Sequence, residues 1–582
     1  MENSEHLAHI RHTLAHLLAQ AVLEHYPSAL LTLGPAVDNG FYYDIDFGTD
    51  KVSDEDLGKI SKTMVKNLSK WTEFTHKEVS KGEALKSFAG NIYKAELINE
   101  IAERGEKITL YTCGGFTDLC RGGHTEHPNK DISPDSFVLD RIAGAYWRGS
   151  EDNKMLTRIY GLAFETKKDL NAYKIQQEEA RKRDHRKLGR ELDLFTFSDL
   201  VGVGMPLFTP RGNIVREQII GFSRELNDSL GFGEVHTPNI NKAELFKISG
   251  HYDKYKEDML SVRSQYVSDE MFLKPMNCPQ HTQIYASAPR SYRDLPIRYS
   301  DFAVLYRDER PGEMSGLTRL RSFSQDDGHI FCRPDQVEEE IGSVLGAIQK
   351  ALEVYKIDSW MRLSLRDPNN KEKYLGDDET WEKSQAIMKS LLKEKNIAHK
   401  EAIGEAAFYG PKIDIMAVDA IGREWQISTI QLDFNQPARF ELVYTDSDGK
   451  QKTPVMIHRA LIGSPDRFLG ILTEHYAGAF PTWLSPVQVS IIPVREEHED
   501  EAEKIYAKLK SESIRVEKIS GNESLGKRIH KAKDFNVPYV IIFGDKEKES
   551  GVLTIEKRDG SKIEVSLDDF IAHIKEETKN RS

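Results

Sequence analysis

The order of apolar and polar positions predicts helices at three points in the first half of the chain. Apolar residues recur every three or four positions over Glu5–Tyr26, which indicates a buried helical face. Residues 166–188 are rich in Lys, Arg, Glu and Gln and predict a polar helix that links domains. A second apolar stripe over Ile214–Leu230 predicts a buried helix, followed by a short strand that ends at Pro238.

Strand patterns dominate the region from 189 to 485. The predicted strands are Ile297–Leu305, Arg319–Phe323, Ile413–Val418, Glu424–Ile430 and Phe440–Tyr444. Strands with interspersed helices are typical of an antiparallel sheet with helices packed on it, so we predict an α+β domain. From Pro486 the pattern becomes strand, helix, strand, helix, strand, which predicts a small α/β domain with parallel pairing. The predicted division is therefore 1–165, a linker at 166–188, 189–485 and 486–582.

Composition narrows the class of protein. A chain of 582 residues is too long for a single hydrophobic core. No apolar run approaches the length of a membrane span, so we expect no membrane association. Four cysteines are too few for a disulfide framework, and reduced thiols in the cytoplasm are the simpler interpretation. The net charge of −13 disfavours indiscriminate nucleic-acid binding, although the basic segment 181–187 is either a solvated spacer or a contact to RNA phosphates.

The stretch 307–332 concentrates charged residues in a predicted hairpin. Its charged residues include the cations Arg307, Arg319 and Arg321 and the carboxylates Glu309, Asp326 and Asp327. Arginine grips phosphate through a rigid fork of donors, and carboxylates hold a divalent cation or an ammonium group. A solvated hairpin with surface ion pairs would have the same composition. Two neighbouring blocks favour a ligand site: MNCPQH at 276–281 and MIHRALIGSPDRFLGIL at 456–472.

Together the three blocks resemble the class II aminoacyl-tRNA synthetases, and among them the threonyl-tRNA synthetase family. Residues 307–309 (RDE) match the opening of motif 2, and Phe323 with 325–329 (QDDGH) matches its return strand. Motif 3 is matched by Gly463, Ser464 and Arg467. The resemblance extends from about His6 to the C-terminus, and the helix Ile214–Leu230 resembles motif 1, which implies a homodimer.

The resemblance implies a threonine–tRNA ligase with a class II antiparallel catalytic domain. Such an enzyme activates L-threonine with ATP and Mg²⁺ and transfers it to tRNA(Thr). Arg307 would hold the α-phosphate, Glu309 the adenine edge and Arg467 the far phosphates, with Arg307 and Arg467 as the catalytic residues. Phe323 would stack under the base, and Arg319 would complete the ATP site. Ser464 also begins a predicted helix as its N-cap, ahead of Pro465.

The same resemblance implies one Zn²⁺ per chain. Cys278, His329 and His458 match its three ligands, although no spacing rule joins residues so far apart in sequence. Two histidines and one cysteine leave a tetrahedral zinc with an open position. In the family, the amino group and the hydroxyl of threonine bind this metal, so valine is rejected. The resemblance places five residues in the amino-acid pocket: Gln325, Asp327, Tyr409, Gln431 and Ser464.

The first domain carries a second cluster. His12 and His16 share a helix face, and Cys120 and His124 follow later in the chain. By residue type alone, a zinc site and ordinary surface histidines are equally good interpretations. The resemblance adds a third, which we favour: an editing domain that hydrolyses seryl-tRNA(Thr) without a metal. The implied editing residues are His12, His16, Lys94, Asp118, Cys120 and His124.

Some positions depart from the family pattern. Gln280, Arg310 and Gly328 replace a glycine, a proline and an alanine, and none of these changes removes a ligand. In the C-terminal domain, which resembles the anticodon-binding domain, Glu547 matches an anticodon-reading residue, whereas Glu556 stands where an arginine is expected. About five residues precede the first helix, so we expect the family's small N-terminal domain to be absent.

Two rival interpretations remain open at this stage. One is a class II synthetase for another amino acid, such as proline or serine, against which the Cys–His–His set and the editing-like domain count. The other is a non-catalytic tRNA-binding paralogue, which would have lost Arg307, Glu309 or Arg467.

Overall fold

The computed structural model describes residues 2–521 and 523–582, without the side chains of residues 2–4 and 311. The described chain forms two compact units that divide between Glu178 and Glu179. Both units are mixtures of helices and antiparallel sheets, so the predicted α+β class is confirmed. The division lies inside the predicted linker, and the predicted regions 189–485 and 486–582 both belong to the second unit.

The first unit is built on its N-terminal helix, which begins at Glu2 and ends at His25. Leu14, Leu17 and Leu18 on this helix are fully buried, as the apolar periodicity predicts. Five of the described strands form one antiparallel sheet: Leu30–Leu31, Ala36–Val37, Gly40–Asp46, Phe137–Tyr146 and Met155–Ala163. A smaller antiparallel sheet contains Thr75–Val79, Ile108–Cys113 and Phe116–Leu119. The remaining helices of this part of the chain are Asp54–Leu68, Lys81–Ser87, Ile92–Glu103 and Pro128–Asp131.

The linker is not one helix. A helix over Lys167–Arg183 ends at Asp184, and a separate helix, His185–Glu191, begins there. The Asp184 carboxylate accepts a hydrogen bond from the backbone N–H of Arg186 at 2.8 Å, so Asp184 is the N-cap of the second helix. This short polar side chain is the reason that the predicted continuous helix breaks here.

The second unit is organised around one large sheet. Eight of the strands described there run in the order Gly233–Glu234, Ile297–Asp301, Asp327–Cys332, Val455–Ala460, Glu424–Asp433, Lys412–Val418, Asp358–Leu365 and His399–Ile403. The six inner strands pair antiparallel, as predicted, and each edge strand pairs parallel. A separate hairpin joins Val304–Tyr306 to Ser322–Ser324. Helices that pack against this region include Pro210–Ser229, Ala243–Ser249, His251–Tyr255, Cys278–Ala286, Val337–Tyr355, Asp378–Glu394 and Pro465–His475.

The predicted strand Phe440–Tyr444 is wrong. The structure has a helix at Asn435–Arg439 and only a short strand at Tyr444–Thr445. The Asp433 carboxylate accepts hydrogen bonds from the backbone N–H groups of Asn435 and Gln436, which starts the helix. Glu441 then adopts a positive φ of 50°, which turns the chain and prevents an extended segment.

The C-terminal part confirms the alternation of strands and helices. Its sheet has the order Val516–Lys518, Val489–Pro493, Tyr539–Phe543, Leu553–Lys557 and Lys562–Val565. The first three strands are parallel, as predicted, and the last two add antiparallel pairs. Its helices are Glu499–Ser511, Leu525–Asp534, Asp545–Ser550 and Leu567–Asn580.

Candidate active site

A cavity of about 450 Å³ opens between the hairpin and the helix Pro465–His475. It brings together every residue that the resemblance assigns to ATP, from both motif 2 and motif 3. These residues are Arg307, Glu309, Arg319, Phe323 and Arg467. Arg319 Nε donates to Glu309 Oε2 at 2.7 Å, and the Arg307 guanidinium lies 5.2 Å from the centre of the Phe323 ring.

Two arginines in this cavity have no acidic partner in the part of the chain that the structure describes. No carboxylate among the described residues lies within 4 Å of the guanidinium of Arg307 or Arg467. The Nε atoms of both side chains are buried without a hydrogen-bond acceptor in the described chain. Burial also lowers the pKa of Arg467. A partly buried cation is stabilised by a bound anion, so both arginines suit a negatively charged ligand.

A smaller cavity of about 100 Å³ adjoins the first and shares Arg307 and Gln325 with it. It contains all three predicted zinc ligands and four of the five residues predicted to bind threonine: Cys278, His329, His458, Gln325, Asp327, Tyr409 and Gln431. The fifth, Ser464, lines the larger cavity, where its hydroxyl accepts the N–H of Arg467 at 3.2 Å. Ser464 is therefore the helix N-cap that the sequence predicts, and the structure does not bring it to the threonine residues.

The donor atoms of Cys278, His329 and His458 lie within 4.8 Å of one another. His329 Nε2 and His458 Nδ1 are 3.0 Å apart, and the other nitrogen of each ring has its own partner. His458 Nε2 donates to Asp433 Oδ2 at 2.9 Å, and His329 Nδ1 lies 2.7 Å from His281 Nδ1. These contacts direct the two remaining nitrogens at the same point, as second partners of metal-binding histidines do. The donor set therefore fits a zinc ion.

The charge states of this cluster suit a cation. Burial lowers the pKa of His329 well below its ordinary value, with help from His281 and His458. Burial likewise raises the pKa of the Cys278 thiol. Neutral imidazoles are metal ligands as they stand, whereas the thiol becomes a ligand by losing its proton to a bound metal.

The sequence analysis missed Asp433 and His281. Asp433 ends a strand and His281 lies in the MNCPQH block, and neither position has a pattern of its own. Asp326, grouped above with the ligand-facing acids, is instead fully buried and accepts hydrogen bonds from Arg459 and Ser223 at 2.6 Å each. It holds the sheet to the helix Pro210–Ser229 and does not face either cavity.

The first unit has its own cavity, of about 570 Å³. His12, His16, Lys94, Asp118 and Cys120 line it, and His124 Nε2 lies 3.4 Å from Cys120 Sγ, so all six predicted residues come together. Five basic residues of the type that contacts phosphates also line this cavity: Arg104, Lys107, Arg121, Arg148 and Arg158. Each of them forms an ion pair with a neighbouring acid.

A buried network sets the protonation states in this cavity. Asp118 binds Lys94 Nζ at 2.5 Å and His16 Nδ1 at 3.1 Å, and these cations lower its pKa despite burial. Burial opposes a charged His16, but hydrogen bonds with Asp118 and Cys120 raise the pKa of His16 to about 9. Burial also opposes a thiolate, yet hydrogen bonds from His12, His124 and His16 lower the pKa of Cys120 to about 3. These shifts favour a thiolate at Cys120 beside a charged His16 at neutral pH.

His12 contacts three groups around this cavity. Its Nδ1–H donates to the carbonyl of Gly123 at 3.1 Å. Its Nε2 lies 3.2 Å from His16 Nε2 and 3.5 Å from Cys120 Sγ. Tyr43, which the sequence analysis missed, donates from its hydroxyl to Asp118 Oδ2 at 2.6 Å. Tyr43 lies inside the strand Gly40–Asp46, and the sequence pattern of a strand does not predict such a contact.

Glu547 lies in the C-terminal sheet domain and is only 7% exposed. Its Oε2 accepts the backbone N–H of Gly544 at 3.1 Å, which uses the carboxylate within the domain. Glu556, the residue that departs from the family pattern, forms ion pairs with Lys533 and Lys562. None of the described helices is long and apolar enough to cross a membrane.

Comparisons with known proteins cover the whole chain. Residues 260–476 match the sequence family described as tRNA synthetase class II core domain (G, H, P, S and T). Residues 488–577 match the family described as anticodon binding domain. The threonine–tRNA ligase of Bacteroides fragilis (strain YCH46) is 46% identical over 98% of this chain and 88% of its own length. The corresponding ligase of Thermotoga petrophila is also 46% identical, over 100% of this chain and 90% of its own.

Solved structures agree with the sequence comparisons. The crystal structure of the RNA binding domain of threonyl-tRNA synthetase from Cryptosporidium parvum Iowa II is similar, with a TM-score of 0.65 and 36% identity. It covers 68% of this chain and 98% of that chain. The putative threonyl-tRNA synthetase ThrRS-1 of Aeropyrum pernix has a TM-score of 0.61 and 29% identity over 69% of this chain. With relatives this similar over nearly its full length, the chain belongs to the threonine–tRNA ligases, which are ATP-dependent class II aminoacyl-tRNA synthetases.

Proposed function

We propose that the two joined cavities of the second unit are the ATP and threonine subsites of this ligase. We also propose that the cavity of the first unit hydrolyses seryl-tRNA(Thr). The observation that carries the first proposal is a pair of arginines in the larger cavity, Arg307 and Arg467. Both are partly buried, and neither has an acidic partner among the described residues. ATP, with the Mg²⁺ that accompanies it in class II enzymes, supplies the missing negative charge.

In the activation step, the threonine carboxylate attacks the α-phosphate of ATP and pyrophosphate leaves. Arg307 lines both cavities, so its cation suits the phosphate at which the two substrates meet. Arg467 is held by the helix that Ser464 caps, and its rigid mount suits the leaving phosphates. Charge spreads over the phosphate oxygens in the transition state, and fixed cations stabilise it without reorganising. The threonyl group then passes to tRNA(Thr).

Cys278, His329 and His458 would hold one Zn²⁺ in the smaller cavity. When bound, zinc would act as a Lewis acid for the amino group and hydroxyl of threonine. Asp327 lies beside these ligands, where its carboxylate suits the substrate hydroxyl, and burial raises its pKa. Tyr409 donates from its hydroxyl to Gln431, and its ring stacks on His458 at 4.7 Å, so the pocket wall is rigid. Valine leaves these polar groups without partners and is rejected.

Serine differs from threonine by one methyl group, which is worth roughly 1–3 kcal/mol of discrimination. A synthetic site of this kind therefore releases some seryl-tRNA(Thr). In the first unit, the lone pairs of Cys120 suit a water molecule that attacks the ester carbon. The cations of His16 and Lys94 suit the oxyanion, and Asp118 fixes their protonation. The water oxygen bonds to the carbonyl carbon, the ester C–O bond breaks, and the ribose hydroxyl of the tRNA takes the proton.

Replacement of His12 tests the editing proposal. We expect His12→Ala to slow deacylation of seryl-tRNA(Thr) by about 10²–10⁴-fold, because a group that orients the water is lost. Seryl-tRNA(Thr) then accumulates in reactions with serine, while charging with threonine is unchanged. His6→Ala is the control, because His6 lies exposed on the same helix. Normal deacylation by His12→Ala would contradict the proposed site.

Replacement of Asp433 tests the zinc proposal without using activity. We expect Asp433→Asn to weaken zinc binding by roughly 10–100-fold, because His458 loses the carboxylate that orients its ring. Asparagine keeps a side-chain oxygen for the backbone N–H groups of Asn435 and Gln436, so the helix start is preserved. The measurement is zinc retained per chain against a competing chelator. Equal retention in both proteins would contradict the role of Asp433.

The donor geometry also favours a second candidate for the first unit. His12, His16, Cys120 and His124 have donor atoms within 4.8 Å of one another, which is a complete tetrahedral set. Zinc content separates the two candidates. Hydrolysis without a metal predicts about one zinc per chain, which Cys278→Ala removes, whereas a metal site predicts a second zinc that Cys120→Ala removes.

We further propose that the chain forms a homodimer at the helix Pro210–Ser229 and the segment before it. That segment exposes several apolar side chains, among them Leu200, which is 99% exposed, and Val203. Apolar groups exposed together mark surfaces that bind a partner.

Four free cysteines agree with a reducing compartment, and we propose the cytoplasm. The C-terminal domain, which matches the anticodon binding domain family, is the proposed anticodon-binding domain.

A further inference from the structure

His185 belongs to the basic segment 181–187, for which the sequence suggests a spacer or an RNA contact. The structure gives this residue another environment. Its side chain is only 3% exposed, and it begins the short helix His185–Glu191 inside the second unit. Arg186 remains at the surface, where it pairs with Asp184. The segment is therefore basic outside and carries one buried imidazole.

Both nitrogens of the His185 ring have defined partners. The backbone N–H of Leu317 donates to Nε2 at 2.9 Å, so Nε2 must present its lone pair. The ring proton is consequently on Nδ1, which donates to Glu474 Oε1 at 2.5 Å. The same carboxylate oxygen accepts the backbone N–H of His185 at 3.0 Å. Leu317 and Glu474 thus determine a single tautomer of the ring.

Two glycines make room for this imidazole. A Cβ atom at Gly316 would lie 2.2 Å from His185 Nε2, and Gly316 has a φ of +52°. A Cβ at Gly470 would lie 3.4 Å from His185 Cδ2 and 3.1 Å from Leu317 Cβ. The loop, the ring and the helix Pro465–His475 are therefore in direct contact.

The two partners of His185 belong to two elements that contribute residues to the ATP cavity. Leu317 begins the run 317–320 of the hairpin loop, which lines this cavity. Glu474 lies on the helix that contributes Arg467, Phe468 and Ile471 to the same cavity. Glu474 is itself held by Arg423, and Arg183 donates to the carbonyl of His475 at 2.9 Å. The helix side of the contact is thus anchored.

We propose that His185 is a positioning residue for ATP. Its side chain joins the hairpin loop to the motif 3 helix and so sets the width of the cavity between them. This inference rests on the proposed ATP subsite. Without the imidazole, the buried N–H of Leu317 loses its acceptor, and the loop that carries Thr318 and Arg319 is no longer fixed opposite Arg467. His185 touches neither substrate in this account, and its effect is exerted through Leu317.

Two amide variants separate positioning from packing. In His185→Gln, the side-chain oxygen reaches roughly the place of Nε2 and accepts the N–H of Leu317. In His185→Asn, the shorter side chain reaches only Glu474. We expect the KM for ATP in threonine-dependent ATP–pyrophosphate exchange to rise roughly 10-fold in His185→Asn and by less than about threefold in His185→Gln. The KM for threonine should stay unchanged in both variants, because the threonine cavity does not include the loop.

The outcome that overturns the proposal is an equal KM for ATP in the two variants, whatever their thermal stability. A loss of thermal stability in both, with the KM for ATP unchanged, would likewise leave His185 as a packing residue only. Arg467→Ala distinguishes failure of this inference from failure of the ATP subsite. If Arg467→Ala impairs exchange and His185→Asn does not change the KM for ATP, only the role of His185 is wrong.

Gly316→Ala approaches the same contact from the loop. Its new Cβ meets His185 Nε2, so we expect the KM for ATP to rise in this variant too. When Gly316→Ala is combined with His185→Asn, the smaller side chain at position 185 relieves the clash. The KM for ATP of the double variant should therefore rise by less than the product of the two single effects. A double variant in which the two effects simply multiply would contradict a direct contact.

Discussion

Arg467→Ala is expected to reduce threonine-dependent ATP–pyrophosphate exchange by about 10²–10³-fold, the cost of removing one fixed donor to a developing charge. The guanidinium is partly buried, its Nε has no acceptor among the described residues, and it faces the proposed ATP cavity. Arg467→Lys keeps the positive charge but lacks the planar fork, so it should recover only part of the activity. The measurement is kcat/KM for exchange at saturating threonine.

The control for this prediction is Arg293→Ala. Arg293 is exposed and its Nε donates to the hydroxyl of Tyr292, a neutral partner outside the cavity. Exchange by this variant should stay within roughly twofold of the unmodified protein, as for most surface substitutions. If Arg467→Ala retained full exchange, the ATP subsite would have to lie elsewhere.

Cys278→Ala is expected to remove the zinc ion. The rate of threonine activation should then fall by about 10³-fold or more. Three side chains converge in the smaller cavity, and a two-histidine set without the thiolate leaves too few ligands for a tight zinc site. Zinc per chain measures the first effect, and exchange with threonine, serine and valine measures the second. The unmodified protein should show exchange with threonine, weaker exchange with serine and none with valine.

Cys332→Ala is the matched control. Cys332 is also a fully buried free thiol, and it lies in the same strand as His329, but it lines neither cavity. Its loss should lower thermal stability slightly by leaving a small void and should not change the zinc content. Zinc retained in Cys278→Ala, or lost in Cys332→Ala, would contradict the proposed ligand set.

How far the sequence predicts the fold depends on the kind of element. Long helices with an apolar stripe, such as the N-terminal one, are placed to within a few residues, because their periodicity reports burial directly. The segment Phe440–Tyr444 is mispredicted because five alternating residues fit a turn as well as a strand. The break in the linker at Asp184 depends on one capping hydrogen bond, which a run of good helix formers conceals.

The sequence by itself determined the family and predicted the ATP residues and the zinc-ligand candidates, because each of these residues lies in a block that resembles the family. Only the tertiary structure decided which side chains support them. Asp433, His281, Tyr43 and His185 act through contacts with residues far away in the chain, and no local pattern encodes such contacts. It also decided that Asp326 and Glu547 are satisfied internally. A charged residue has the same letter whether it faces a ligand or a buried partner, and only its surroundings tell the two apart.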